Sequence, residues 1–166
     1  MSQNTFTLRS NDVGGQSTKQ QEFNGSNCSG ENKSPHLVWD NAPAGTKSFA
    51  VITHDPDAPT HGGFYHWVAF NIPASTTELK TNAGQPDADY MPAGSVMSNN
   101  SFGIKGYSGP CPPPGHGPHL YLYTVVALDT DKLDLDKNAQ PATVEFTMWP
   151  HIIAKASIVN YYERKE

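Results

Sequence analysis

Three short segments concentrate the residue types that do chemistry. The first, Thr53-His54-Asp55-Pro56-Asp57-Ala58-Pro59, sets two carboxylates two residues apart on a proline-stiffened turn. Asx residues beside proline commonly do no more than cap turns. A carboxylate fixed this way can also orient a histidine and hold its proton available. The second is His66, at the head of an apolar run. Strict alternation puts His66, Val68, Phe70 and Ile72 on one face, with Trp67, Ala69 and Asn71 on the other. The third joins Gly109-Pro110-Cys111-Pro112-Pro113-Pro114-Gly115 to His119-Leu120-Tyr121, with His119 and Tyr121 on one face of the strand that follows. Each of these residues taken alone reads as structural. Together, His54, Asp55, Asp57, His61, His66 and His119 form a candidate ligand set for a metal, but no HxH, HExxH or CxxC spacing supports one. A hydrolase is the other catalytic alternative, metal-free or metal-dependent, with Asp and His as base and Ser108 or Tyr107 near the loop. No Gly-x-Ser-x-Gly elbow accompanies them. The acids between Asp129 and Asp136 lack the central Gly and terminal Glu of a calcium loop and read as a solvated turn.

The elements that must carry these residues are mainly strands. Residues 47–53 and 66–72 are nearly continuous apolar runs, the mark of strands buried on both faces. Residues 119–128 form the strongest strand signal, and 5–8 and 34–39 are shorter ones. Residues 11–30 read as loop, with 20–23 extended, and 76–101 as a polar surface wrap. Residues 106–115 hold so many glycines and prolines that regular structure is nearly excluded. An apolar stripe of Phe146, Trp149, Ile153 and Ala156 predicts a helix over 142–156, followed by a strand over 158–162.

The whole chain of 166 residues is about one domain's worth, read as a single domain over 1–166. With 36% hydrophobic and only 16% charged residues, and 14 each of Gly and Pro, it reads as mostly β rather than disordered or a helical bundle. The net charge of −5 repels a nucleic-acid backbone, so no nucleic-acid partner is expected. No apolar run reaches the ~20 residues of a membrane helix, and the first ten residues lack a signal-peptide core, so a cytoplasmic location is expected. Only Cys28 and Cys111 are present. A bridge between them is open, but free thiols are the commoner state in a reducing compartment.

The three segments, with Gly106-Tyr107-Ser108 ahead of the proline run, resemble the phosphatidylethanolamine-binding protein family, and specifically its compact bacterial and archaeal, Raf-kinase-inhibitor-like branch. Ser29-Gly30-Glu31-Asn32-Lys33-Ser34-Pro35, Pro43-Ala44-Gly45-Thr46-Lys47-Ser48-Phe49 and Ala127-Leu128-Asp129 extend the resemblance from about Phe6 to Tyr162. The resemblance implies two antiparallel β-sheets in a Greek-key arrangement with a few short helices. It also implies a shallow pocket for phosphate, phosphoryl headgroups or similar small anions, at Asp55, Asp57, Pro59, His66, Gly109, Pro112, Pro113, His119 and Tyr121. In that picture two imidazoles and a phenol donate to the anion, and backbone N–H groups approach at the glycine loop. If both histidines must be protonated, affinity falls as the pH rises past ~6.5. The expected role is non-catalytic binding without metal or cofactor. Inhibition of a kinase or protease and homodimer formation are the partner calls that the resemblance suggests. Two departures stand against carrying kinase regulation over. Tyr65 stands where animal members have a second histidine, and the chain stops soon after Tyr162, where they continue into a helix bordering the pocket.

Overall fold

A computed structural model describes residues 4–165. Eight strands form two antiparallel sheets. The smaller sheet has the order β1-β2-β5, built from Thr7–Arg9, Leu37–Asp40 and Glu78–Leu79. The larger has the order β6-β4-β3-β7-β8, built from Val96–Met97, Phe64–Pro73, Ser48–Asp55, His119–Leu128 and Ile152–Tyr162. One short helix, α1 (Pro141–Met148), completes the set with two 3-10 turns.

The continuous apolar character of β3 follows from its place at the centre of the larger sheet. On one face Phe49 and Val51 pack with Trp67, Tyr123 and Val125, against Leu8, Leu37, Trp39 and Leu79 of the smaller sheet. On the other, Ala50 and Ile52 pack with Val68, Phe70, Val126 and Leu133 beneath Val144 and Met148 of α1. Fully burying a side chain of the Leu or Phe class contributes about 1.5–3 kcal/mol, so the two-sided core fixes the positions of β3, β4 and β7.

β4 departs from simple alternation. Thr53 pairs with Trp67 but His54 with Tyr65, so His66 is the extra residue of a β-bulge. A second irregularity lies between Phe49 and Val51, opposite Asn71, whose φ is 56°. Trp67 and Ile72 consequently share one core, and Val68 and Phe70 the other. This corrects the alternation that grouped His66 and Ile72 with Val68 and Phe70.

The expected helix over 142–156 is cut short. Pro150, which lacks a backbone donor, falls in a 3-10 turn at Trp149–His151, and β8 begins directly afterwards at Ile152. The apolar stripe is not a buried face: Phe146 and Trp149 are exposed, and Val144 and Met148 are the residues that pack.

Two stretches, one read as loop and one as a surface wrap, also send side chains into the interior. In residues 76–101, Leu79, Ala83, Ser98 and Asn100 are buried. Residues 11–30 form a strap without named strands whose Gln21, Glu22 and Phe23 are buried. Residues 20–23 hold turns closed by Gln21 and Glu22 N–H donation to the Thr18 carbonyl, not an extended segment. The strap is tied to the proline loop by a Cys28–Cys111 disulfide, where free thiols were expected.

Candidate functional site

β3 delivers Asp55 at its last position, and β7 delivers His119 and Tyr121 at its first and third; these strands are neighbours, so the three side chains gather at one sheet end. The bulge in β4 turns His66 toward the same place, with its ring centroid 5.3 Å from that of Tyr121 in an edge-on contact. Asp55, His66, His119 and Tyr121 all have side chains almost removed from solvent. They line a recess of about 190 Å³ whose walls are Ala58, Pro59, Thr60, Phe64, Phe102, Cys111, Pro112 and Pro113.

Asp55 is the hub. Its Oδ1 accepts the Asp57 backbone N–H at 2.8 Å, closing the Asx turn, and its Oδ2 lies 2.7 Å from His119 Nδ1. A carboxylate accepts, so His119 carries its proton on Nδ1. The remaining nitrogen, Nε2, is 2.6 Å from His116 Nδ1, and a single proton must lie between those two rings. His66 Nδ1 lies 2.7 Å from the Ser108 carbonyl and donates to it. Burial pushes the His66 imidazole down to about 4, outweighing the Ser108 and Gly109 backbone and the Asp55 charge, which pull the other way. His66 is therefore neutral near pH 7. Tyr121 is held well above the ordinary phenol range by burial and by Asp55, and stays protonated.

Two of the nine sequence-predicted site residues stand back from the recess. Asp57 is exposed and its Oδ2 accepts the Leu120 backbone N–H at 2.9 Å, fixing the start of β7. Gly109 is a packing glycine: its N–H donates to Asn32 Oδ1, and a Cβ there would meet the Gln21 carbonyl oxygen at 1.8 Å. The other seven line the recess. Of the residues named for the catalytic alternative, Ser108 and Tyr107 are buried outside the lining. Ser108 Oγ accepts from Asn100 Nδ2, and the Tyr107 hydroxyl donates to the Gln21 carbonyl. Among the described residues no three His, Cys, Asp or Glu side chains converge as a metal-holding group.

Sequence reasoning missed Phe64, Phe102, Asn100 and His116. Phe102 stacks on Phe23 at 4.8 Å and meets Phe64 edge-on at 4.6 Å, closing the recess from a loop that carries no strand signal. Asn100 holds that loop, its Oδ1 accepting the Phe102 and Ile104 N–H groups and its Nδ2 donating to the Gly106 carbonyl. The one available signal for His116 was its spacing of three residues from His119 across a Gly-Pro pair.

Comparison with known proteins agrees with this fold. The family model described as phosphatidylethanolamine-binding protein matches residues 13–163. YbcL of Escherichia coli (strain K12) is 44% identical over 162 residues, covering 96% of this chain and 88% of that protein. YbhB of the same strain is 47% identical over 136 residues, covering 82% and 85%. The crystal structure of YbcL, described as a new member of the mammalian family, matches with a TM-score of 0.94 over 96% of this chain and 99% of that one, at 44% identity. A homologue from Chlamydia trachomatis matches with a TM-score of 0.81 at 28% identity, covering 98% and 100%. The chain belongs to the phosphatidylethanolamine-binding protein family, in its bacterial and archaeal branch.

Proposed function

We propose that this protein is a non-catalytic binder of small oxyanions, phosphate and phosphoryl groups above all, held in the recess between Asp55, His66, His119 and Tyr121. The observation that carries the reading is the convergence of four nearly buried polar side chains on a cavity of ligand size with otherwise apolar, proline-stiffened walls. The neutral Tyr121 hydroxyl is the donor that the recess presents. Prolines 59, 112 and 113 hold the walls in place, so little ordering is needed on binding. Calorimetric titration with inorganic phosphate at pH 7 tests it. Saturable binding that weakens at least tenfold in His119→Ala is expected; undiminished binding by that variant, confirmed folded, would place the ligand elsewhere.

No helix among the described residues is long and apolar enough to cross a membrane. The Cys28–Cys111 bridge favours residence in an oxidising compartment over the cytosolic placement expected from composition, because cytosolic thiols are kept reduced. Thiol trapping in intact host cells checks this: alkylatable cysteines in the native protein would return it to the cytosol.

A further inference from the structure

Apart from the Tyr121 hydroxyl, the buried polar groups of the recess present hydrogen-bond acceptors where an anion site ordinarily offers donors. The Ser108 carbonyl has no proton to give, so the His66 hydrogen sits on Nδ1 and is consumed there. The ring is packed against Phe64 at 4.9 Å and Tyr121 at 5.3 Å, with Phe102 further off, and it is neutral in this setting. Its Nε2 is then a lone pair. The charged and titratable groups around it are Asp55 and His54 from β3 and His119 and Tyr121 from β7; among them only Asp55 carries fixed negative charge into the recess. Asp55 Oδ1 accepts from Asp57 N–H and Oδ2 from His119 Nδ1–H, and the Tyr121 hydroxyl also hydrogen-bonds this carboxylate, which with about four lone-pair sites still has one to spare. His119 Nε2 is already engaged with His116. Beside the Tyr121 hydroxyl, a fully deprotonated oxyanion would therefore meet one carboxylate and one imidazole lone pair, both repulsive.

Resting on the anion-binding reading above, we propose that the recess selects oxyanions that still carry a hydroxyl, the P–OH of free phosphate or of a phosphomonoester, with that hydroxyl donating to Asp55 or to His66 Nε2. Sulfate and phosphodiesters, which have no such proton near neutral pH, are discriminated against, as is a monoester once it has lost its last proton near pH ~6. The physical reason is the cost of leaving buried acceptors facing an acceptor, which penalises the mismatched ligand far more than a lost contact in water would.

Four probes separate charge from proton donation: inorganic phosphate, methyl phosphate, dimethyl phosphate and sulfate, titrated calorimetrically at pH 6 and constant ionic strength. Dimethyl phosphate matches the monoanionic charge without a hydroxyl, and sulfate matches the dianionic charge without one. The expected result is that phosphate and methyl phosphate both bind at least tenfold more tightly than dimethyl phosphate and sulfate. Methyl phosphate should then weaken relative to inorganic phosphate between pH 6 and 8, because a monoester loses its last proton near pH ~6. In Asp55→Asn the phosphate-to-sulfate ratio should move toward one, a readout of selectivity independent of overall affinity. Equal binding of all four would overturn the selection while leaving an anion site in place. Binding of none, by folded protein, would overturn both.

Discussion

His66 shows how one side chain can be placed by backbone geometry and tuned by its surroundings. The bulge aims it into the recess, and burial keeps it neutral. A buried neutral histidine binds fewer protons than the same residue in the unfolded chain between about pH 4 in the fold and ~6.5 in the coil. Stability therefore falls as the pH drops through that window, by about 3 kcal/mol when complete. Urea unfolding at pH 7 and pH 4.5 should show a steeper acid loss for the wild type than for His66→Gln, whose amide can still donate to Ser108; identical pH slopes would refute the burial account. The same tuning replaces the expectation that two protonated imidazoles hold the anion. Burial holds His66 neutral near pH 7 in the unliganded fold, so its imidazolium is not available to the anion there.

At the level of elements, the proline loop is held from outside as well as by its own turn, in which the His116 N–H donates to the Pro113 carbonyl. The Phe23 N–H donates to the Pro110 carbonyl, Arg164 Nε to the Pro112 carbonyl and Gly115 N–H to the Arg164 carbonyl. The disulfide adds a covalent tie across 83 residues from the strap to Cys111, which itself lines the recess. Closing a loop of that length removes unfolded-state entropy worth about 4–5 kcal/mol in the chain model, with typical measured effects of about 2–4 kcal/mol. Reduction with dithiothreitol should lower the denaturant midpoint by a corresponding amount and weaken phosphate binding several-fold. A reduced protein with unchanged midpoint would show that hydrogen bonds alone hold the strap.

At the scale of the molecule, the larger sheet ends in an eleven-residue edge strand, β8, whose outer side is bridged only at Tyr161 by Gln16 among the described residues. Its outward residues are Ile153, Lys155, Ser157, Val159 and Tyr161, continued by the exposed Trp149 and Phe146. A lysine in the middle of such an edge is a common guard against strand-to-strand association, and Lys155 also lies 5.9 Å from the Trp149 ring centroid. Lys155→Val should raise concentration-dependent self-association measured by light scattering or sedimentation, with phosphate affinity unchanged. No change in association would mean that the lysine guards nothing.

The sequence by itself determined the two-sided burial of β3, the full extent of β7 from His119 to Leu128, and the family membership carried by the Asp-Pro-Asp-Ala-Pro and Gly-Pro-Cys-Pro segments. Those features are local: apolar runs, turn formers and fixed spacings express themselves within a few residues. Tertiary structure decided what depends on a partner distant in the chain. The bulge at His66 arises from register against β3, and the proton arrangement of His119 from Asp55 on one side and His116 on the other. The burial of Phe23 and Glu22, the closing position of Phe102 and the retreat of Gly109 into packing against Gln21 all depend on loops docking across the sheet. A spacing can name the groups that meet in a site, but only the packed fold assigns which of them donate and which accept, because that assignment rests on neighbours up to 64 positions away, as where His119 meets Asp55.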